Sequence, residues 1–189
     1  MPRWVVLVFV ASSLLAAGCR SSTHTPTVMV VGEGEIAMLS ITSSAFREGD
    51  TIPKKYTCDA GDTSPDINWA GLPAGTKSLA LITDDPDAPV GTWVHWVLFN
   101  IPASLTGLAE DVVKTSTVVG VGTQGKNSSG NIGYNGPCPP KGKPHRYFFK
   151  VYALDSSLDL KPGATKADVE NAMRGHILAQ GQLMGKYGR

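Results

Sequence analysis

Short apolar segments separated by turn signals fill most of this chain, and they predict a protein built from strands. From residue 39 onward, apolar runs alternate with clusters rich in Gly, Pro and Asp, such as residues 59–62 and 84–89. The 21 glycines and 13 prolines among 189 residues disfavour a helical bundle, because both residues weaken helix interiors. The candidate strands are residues 68–69, 78–83, 93–100, 117–121 and 147–154. Strands at this spacing predict an all-β antiparallel sandwich.

One segment near the C-terminus has helical periodicity instead. Thr165 is followed three residues later by Asp168, which is the spacing of a capping box at a helix start. Apolar residues then recur at intervals of three and four: Val169, Ala172, Met173, Ile177 and Met184. Because Gly175 and Gly181 interrupt this pattern, we expect short peripheral helices.

The first residues resemble a bacterial export signal. Arg3 precedes an apolar run over residues 4–17, which is too short to span a bilayer but fits the apolar region of a signal peptide. The run ends in Leu-Ala-Ala-Gly-Cys at residues 15–19, which is similar to a lipoprotein cleavage site. We therefore expect a signal peptide at residues 1–18 and lipidation of Cys19. An ordinary secretory signal with an incidental cysteine is the alternative.

The expected anchor defines the rest of the chain and its location. We expect residues 19–38 to form a lipid-anchored flexible tether and residues 39–189 to form the folded domain. Arg20 follows the cysteine, and it is not the Asp that retains enteric lipoproteins at the inner membrane. The expected location is therefore the bacterial cell envelope, at the periplasmic side of the outer membrane. The chain would contact the membrane only through its lipid.

Cysteine number and net charge restrict the chemistry further. If Cys19 is lipidated, Cys58 and Cys138 remain as an even pair in an oxidising compartment. They are expected to form a disulfide that closes a loop of about 80 residues, or else to be two buried free thiols. The chain has 17 Lys and Arg against 16 Asp and Glu without a basic patch, which argues against a nucleic-acid partner.

Three segments combine polar side chains with stiff or apolar surroundings. Residues 84–89 hold three carboxylates in a turn that two prolines stiffen. His95 lies in a strand that is apolar on both faces, and strict alternation puts its side chain on one face with Val97 and Phe99. Residues 133–140 form a Gly- and Pro-rich loop whose backbone N–H groups could meet an anion.

These segments resemble the two signature regions of the phosphatidylethanolamine-binding protein family. The similarity rests on Asp-Pro-Asp-Ala-Pro at residues 85–89, the His95 strand, Gly136-Pro137, Pro140 and His-Arg-Tyr at residues 145–147. It extends over residues 39–188 and is strongest for the bacterial YbhB/YbcL-like branch, often called Raf-kinase-inhibitor-like. The resemblance implies an all-β sandwich with Greek-key connections and short peripheral helices.

The resemblance also implies a small pocket for a phosphoryl headgroup or similar anion. No metal or cofactor is expected. By motif position its ligand-binding residues would be Asp85, His95, Gly136, His145 and Tyr147. Asp87, Pro137 and Pro139 would support the loops. Histidine N–H, tyrosine O–H and loop N–H groups donate to oxyanions, and a carboxylate can orient an imidazole.

Three functions from different classes are consistent with these residues. The leading expectation is a non-catalytic binding protein for a phosphate-bearing small ligand or a phospholipid headgroup. A protein partner is the first alternative, with the domain inhibiting a protease or a signalling protein. The second is a metal-dependent hydrolase in which Asp85, His95 and His145 form a two-His-one-carboxylate set. The chain lacks the HExxH and Gly-x-Ser-x-Gly motifs of common hydrolases.

Overall fold

A computed structural model describes residues 36–189 of the protein. In this part, the chain forms strands, one α-helix (α1, Lys166–Ala172) and a 3-10 turn at Lys54–Tyr56. The strands are β1 (Ala37–Met38), β2 (Ser40–Thr42), β3 (Ile67–Ala70), β4 (Ser78–Asp85), β5 (Trp93–Pro102), β6 (Gly107–Leu108), β7 (Thr117–Val118), β8 (Gly122–Gln124), β9 (His145–Leu154) and β10 (Ile177–Tyr187). The predicted strand-rich class is therefore confirmed. The Greek-key connection stays a prediction.

The strands form one large mixed sheet and one small antiparallel sheet. The large sheet has the order β1-β10-β9-β4-β5-β8-β7, and the small sheet has the order β2-β3-β6. Only the β1–β10 pair among these is parallel. Because β4 and β9 are antiparallel neighbours, the end of β4 lies beside the start of β9. This register brings two distant polar segments together at one end of the large sheet.

Apolar side chains cover both faces of the centre of the large sheet. One face packs on the small sheet, with Leu81 and Trp96 in the same cluster as Ile67. On the other face, Val97 and Phe99 share a second cluster with residues of α1. Burial on two faces explains why β5 carries apolar residues on both of its faces from Trp96 to Phe99, as strands covered on both sides do.

His95 interrupts the alternation of β5, and the predicted face of this residue is wrong. Thr83 pairs with Trp96 while Asp84 pairs with Val94, so β5 takes a two-residue step opposite a one-residue step of β4 and His95 is the extra residue. Such a bulge moves every residue before it to the other face. His95 consequently packs against Tyr147, on the face opposite to Val97 and Phe99.

The predicted second helix near the C-terminus is also wrong, because residues 177–187 form strand β10. The capping box at Thr165 and Asp168 is confirmed, and α1 follows it. Gly175 then has a φ of +79° and ends the helical segment. Beyond it, the buried residues occur at every second position: Ala179, Gly181, Leu183, Gly185 and Tyr187.

Two glycines explain why this strand packs so closely. A Cβ at Gly181 would overlap the backbone oxygen of Leu39, and one at Gly185 would overlap Ile52 and Phe46. The segments before β2 and after it therefore lie directly against β10. The helical spacing of Ile177 and Met184 is coincidental. The alternation of buried residues in β10 is hidden in the sequence, because two of the buried positions are glycines and add no apolar side chain to the pattern.

Two further predictions concern residues 117–121 and the N-terminal segment. The predicted strand over residues 117–121 is a hairpin, in which the Val121 N–H donates to the Val118 carbonyl at 2.9 Å. The predicted signal peptide, Cys19 and most of the tether lie outside the described residues, and β1 begins within the range assigned to the tether. In residues 36–189 no helix has the length and apolar character needed to cross a membrane.

Candidate functional site

One pocket of about 420 Å³ lies at the sheet end where β4 stops and β9 starts. Its walls come from the turn after β4, the start of β5, the start of β9 and the loop over residues 134–140. The structure brings all five predicted ligand-binding residues to this pocket: Asp85, His95, Gly136, His145 and Tyr147. The two sequence regions that carry the polar motifs therefore meet in space.

Asp85 and His145 form a buried pair at the base of the pocket. The His145 Nδ1 atom lies 2.8 Å from Oδ2 of Asp85, and the two side chains are 11% and 4% exposed. The other carboxylate oxygen of Asp85 accepts the N–H of Asp87 at 2.8 Å. Because an ionised carboxylate only accepts hydrogen bonds, the hydrogen between the two side chains lies on Nδ1 of His145. The Nε2 atom of His145 takes no part in the contact with Asp85.

His95 is held in a similar way by the backbone. Its Nδ1 atom lies 2.6 Å from the carbonyl oxygen of Asn135, which fixes the hydrogen on Nδ1. The imidazole also packs edge-on against the Tyr147 ring, with centroids 5.2 Å apart. Burial lowers the pKa of His95 despite the neighbouring carboxylates. A neutral imidazole with its hydrogen on Nδ1 leaves Nε2 as a hydrogen-bond acceptor.

Tyr147 adds a buried hydroxyl without a partner. The residue is 1% exposed, and its hydroxyl has no hydrogen-bond partner among residues 36–189. Burial, followed by the charge of Asp85, raises the pKa of this phenol well above its usual value. The hydroxyl therefore keeps its proton and can donate. Buried polar groups are normally paired, so an unpaired one beside a pocket indicates a place for a ligand or a water.

Gly136 lines the pocket, but it does not supply the N–H group expected of it. Its N–H donates to Oδ1 of Asp62 at 2.5 Å. The N–H of Asn135 is also occupied, since it donates to the carbonyl of His95 at 2.9 Å. A Cβ at Gly136 would lie 2.6 Å from the carbonyl oxygen of Tyr56, so glycine is required here for close backbone approach.

The residues expected to support the loops lie outside the pocket or in its wall. Asp87 faces away and binds Arg146, with guanidinium contacts of 2.9 and 2.8 Å and a backbone contact of 3.0 Å. This ion pair lowers the pKa of Asp87 to about 2. Pro137 accepts the N–H of Cys58 at 3.1 Å, and Pro139 forms part of the wall.

A disulfide forms part of the rim. Cys58 and Cys138 are joined with their sulfurs 2.02 Å apart, and both residues line the pocket. The bridge attaches the loop over residues 134–140 to the segment that follows the 3-10 turn. Of the two arrangements that the cysteine count left open, the structure contains the bonded one.

Several residues that build the pocket were not identified from the sequence. Asp62 positions Gly136 through the hydrogen bond above and is itself paired with Lys114 at 2.6 Å. In the sequence it was only one residue of a turn signal. The apolar rim was also missed, although its residues stand beside the motif carboxylates and His95: Ala88, Pro89, Val90, Trp93 and Pro140.

In the structure, the three residues of the metal-site alternative make hydrogen bonds to protein groups. Asp85 contacts His145 through Nδ1, and His95 contacts a backbone carbonyl. Across residues 36–189, no group of three His, Cys, Asp or Glu side chains is placed to hold one metal ion. These positions carry paired histidines with one free ring nitrogen each.

The fold and pocket define a class of mostly-β proteins with a small polar pocket at one end of a central sheet. Residues 42–188 match the profile of the phosphatidylethanolamine-binding protein family. The chain belongs to this family, as its two signature regions indicated.

Relatives of similar length support this membership. A UPF0098 protein of Methanothermobacter thermautotrophicus is 52% identical over 151 residues, covering 80% of this chain and 99% of that protein. Another from Aquifex aeolicus is 52% identical over 155 residues, covering 81% and 90%.

Two solved structures have the same fold. A phosphatidylethanolamine-binding protein homologue from Chlamydia trachomatis has a TM-score of 0.74 at 41% identity, covering 80% of this chain and 98% of that one. Escherichia coli YbcL, described as a member of the mammalian family, has a TM-score of 0.75 at 36% identity, covering 81% and 99%.

Proposed function

We propose that this protein is a non-catalytic binding protein whose pocket holds a phosphate-bearing small molecule or a phospholipid headgroup. The observation that carries the proposal is that three polar side chains meet in one pocket, and each has one polar atom without a hydrogen-bond partner among the described residues. His95 and His145 each have a ring nitrogen left over, and the Tyr147 hydroxyl has no partner among the described residues. All three line the same pocket.

The unused groups complement a singly protonated phosphate ester. Tyr147 donates a hydrogen bond, and His145 in its protonated form donates a charge-assisted one through Nε2. Neutral His95 accepts at Nε2, which suits the hydroxyl of a phosphate monoanion. A phosphate offers both acceptor oxygens and one donor, so it can use all three groups together.

The absence of an activated nucleophile supports binding over catalysis. Within the described residues, the pocket's serine, Ser129, donates its hydroxyl to Oδ1 of Asn135 at 3.1 Å. The two cysteine sulfurs are bonded to each other. Covalent catalysis through serine or cysteine needs a nucleophile in hydrogen-bond contact with a base. Neither histidine has such a contact here.

His145→Ala is expected to weaken the binding of inorganic phosphate by about tenfold or more, because a charge-assisted hydrogen bond is lost. Isothermal titration calorimetry on the purified domain measures the change. His176→Ala is the matched control, since His176 also pairs through Nδ1 with a carboxylate, Asp155, at 2.7 Å but is 46% exposed and outside the pocket. Equal phosphate affinity in the wild type and His145→Ala would contradict the proposal.

We also propose that the mature protein is attached to the cell envelope through Cys19. The lipobox-like sequence at residues 15–19 supports this, and a disulfide is typical of an exported protein. In a Gram-negative host fed with labelled palmitate, the full chain is expected to carry the label and sediment with membranes. Cys19→Ser should lose both properties, whereas Cys58→Ser should keep the label. A labelled Cys19→Ser chain would refute the anchor.

A further inference from the structure

We propose that the Cys58–Cys138 disulfide is a site of thiol exchange that opens one wall of the pocket. The co-reactant is a dithiol, whose thiolate bonds to Cys58 while Cys138 is released. This inference goes beyond the proposed function and holds whether or not the pocket binds phosphate, because it concerns the wall and not the ligand.

The disulfide is exposed at the rim of the pocket. Both cysteines are exposed residues, and both line the pocket. Neither belongs to the two apolar clusters that form the core. Exposed disulfides are the ones that are most readily reduced. A thiol in solution can therefore reach this bridge without unfolding the domain.

An ion pair between Asp59 and Arg189 places opposite charges at the two sulfurs of the bridge. Oδ1 of Asp59 is 4.0 Å from Sγ of Cys58. At the other end, Nη1 of Arg189 is 3.7 Å from Sγ of Cys138. The two charged side chains also contact each other, with Nε of Arg189 3.1 Å from Oδ1 of Asp59. Tyr187 donates its hydroxyl to Oδ2 of Asp59 at 2.5 Å, which holds the carboxylate in place.

This asymmetry decides which sulfur is released. A neighbouring cation stabilises a thiolate, and the more stable thiolate is the better leaving group. Release of Cys138 places its negative charge beside the Arg189 guanidinium. Release of Cys58 would place that charge beside the Asp59 carboxylate, where it is repelled. The mixed disulfide that carries the incoming thiol on Cys58 is therefore the more stable of the two.

The exchange takes place in two steps. In the first, a thiolate of the dithiol attacks Sγ of Cys58, a new S–S bond forms, and the bond to Cys138 breaks with its electron pair left on Cys138. In the second, the other thiol of the reagent loses its proton to water and attacks the reagent's own sulfur, which releases Cys58 as a thiolate. The dithiol gives up two electrons and becomes a disulfide, and the protons that it loses balance those that the cysteines take up.

The segment that carries Cys138 depends on the bridge for its position. Backbone hydrogen bonds end at Pro137, whose carbonyl accepts a backbone N–H at 3.1 Å. Within the described part of the chain, no backbone group of residues 138–141 takes part in a hydrogen bond. Reduction therefore leaves side-chain packing and the Arg189 contact to hold residues 138–140, which form one wall of the pocket. We expect this wall to become mobile when the bridge opens.

Glutathione, a monothiol, traps the first step of the exchange. The purified protein is treated with iodoacetamide to block Cys19, given glutathione in native buffer, quenched with acid, digested with pepsin and mapped by mass spectrometry. We expect glutathione on Cys58 about fivefold more often than on Cys138, because opposite charges lie about 4 Å from the two sulfurs. Equal labelling of the two cysteines, or an excess on Cys138, would overturn the inference.

Arg189→Gln tests the role of the charge directly. The substitution keeps the bridge and removes the cation beside Cys138, so the preference for Cys58 should fall to about twofold or less. Arg174→Gln is the matched control, because Arg174 is also exposed but forms no hydrogen bond with either cysteine. It should keep the wild-type ratio. An Arg189→Gln chain that keeps this ratio as well would contradict the inference, since the guanidinium would not direct the exchange.

Trypsin measures whether the wall opens. Lys141 is exposed in the loop that the bridge holds, and Arg174 is exposed just after α1. In native buffer, dithiothreitol should accelerate cleavage after Lys141 by about tenfold or more and leave cleavage after Arg174 unchanged. Circular dichroism should show the same folded spectrum before and after reduction. Unchanged cleavage after Lys141, equal acceleration at both sites, or loss of the folded spectrum would each overturn the inference, because the opening would not be local.

Discussion

Replacing Cys58 and Cys138 together by serine should lower the free energy of unfolding by about 4 kcal/mol. The bridge spans 80 residues of sequence, and its loop contains β3 to β8. A cross-link of that length removes many conformations from the unfolded chain, and the cost of closing the loop returns when the bond is absent. The expected loss is a large share of the stability of an ordinary domain.

Urea denaturation, followed by circular dichroism, measures this change. The wild type in a reducing agent should unfold at the same urea concentration as the double variant, which controls for the serine substitutions themselves. The dependence on urea should also become steeper, because an unfolded chain without a cross-link exposes more surface. A double variant with the wild-type midpoint would show that the bridge does not stabilise the fold.

Asp85→Ala is the single substitution expected to damage the pocket most. The carboxylate holds the Nδ1 proton of His145 and the N–H of Asp87, and its side chain is only 4% exposed. Its removal leaves the Nδ1–H of buried His145 and the partly buried N–H of Asp87 without their acceptor, and a buried donor that loses its acceptor costs about 1 to 3 kcal/mol. We expect stability to fall by about 3 kcal/mol and phosphate affinity to fall about tenfold or more.

The chain contains a control for this substitution as well. Asp155→Ala removes the carboxylate of an exposed His–Asp pair with the same atoms in contact. Exposed ion pairs contribute about 0 to 1 kcal/mol, so its stability and phosphate binding should stay close to wild type. If the two aspartate variants lost equal stability, burial of the Asp85–His145 pair would not be the reason for its importance.

The pocket depends on the register of one strand pair. Asp85 ends β4 and His145 begins β9, and the two strands pair antiparallel from Ser78 with Leu154 to Asp84 with Phe148. This pairing places residues that are 60 positions apart in hydrogen-bond contact. The alternation along β9 then directs His145 and Tyr147 inward and Arg146 outward to Asp87. A one-residue slip would exchange these roles.

Local patterns in the sequence predicted much of this arrangement. The segments around β4, β5 and β9 carry their own period and turn signals, and the capping box at Thr165 marks the start of α1. These features can be predicted from the sequence because each depends on residues a few positions apart. The candidate pocket residues were found by motif resemblance, and the structure places them around one cavity.

Other features were decided by contacts between distant residues. The N–H of Gly136 is taken by Asp62, which is 74 residues away, so the loop does not offer it to an anion. His95 changes face because a bulge forms where β5 pairs with β4. Neither the hydrogen-bond partner nor the bulge has a signature in the neighbouring sequence, since both depend on which strands become neighbours.

The sequence by itself therefore determined the strand-rich class, the family and five candidate ligand-binding residues of the pocket. The tertiary structure decided how those side chains are used. Strand β10 illustrates the physical reason, because its glycines at 181 and 185 pack where a larger side chain would overlap neighbouring backbone or core atoms. A glycine contributes nothing to a hydrophobic pattern in the sequence. Its role in close packing becomes visible only when another segment lies directly against it. The same holds for the carboxylate of Asp85, whose two partners are assembled by folding.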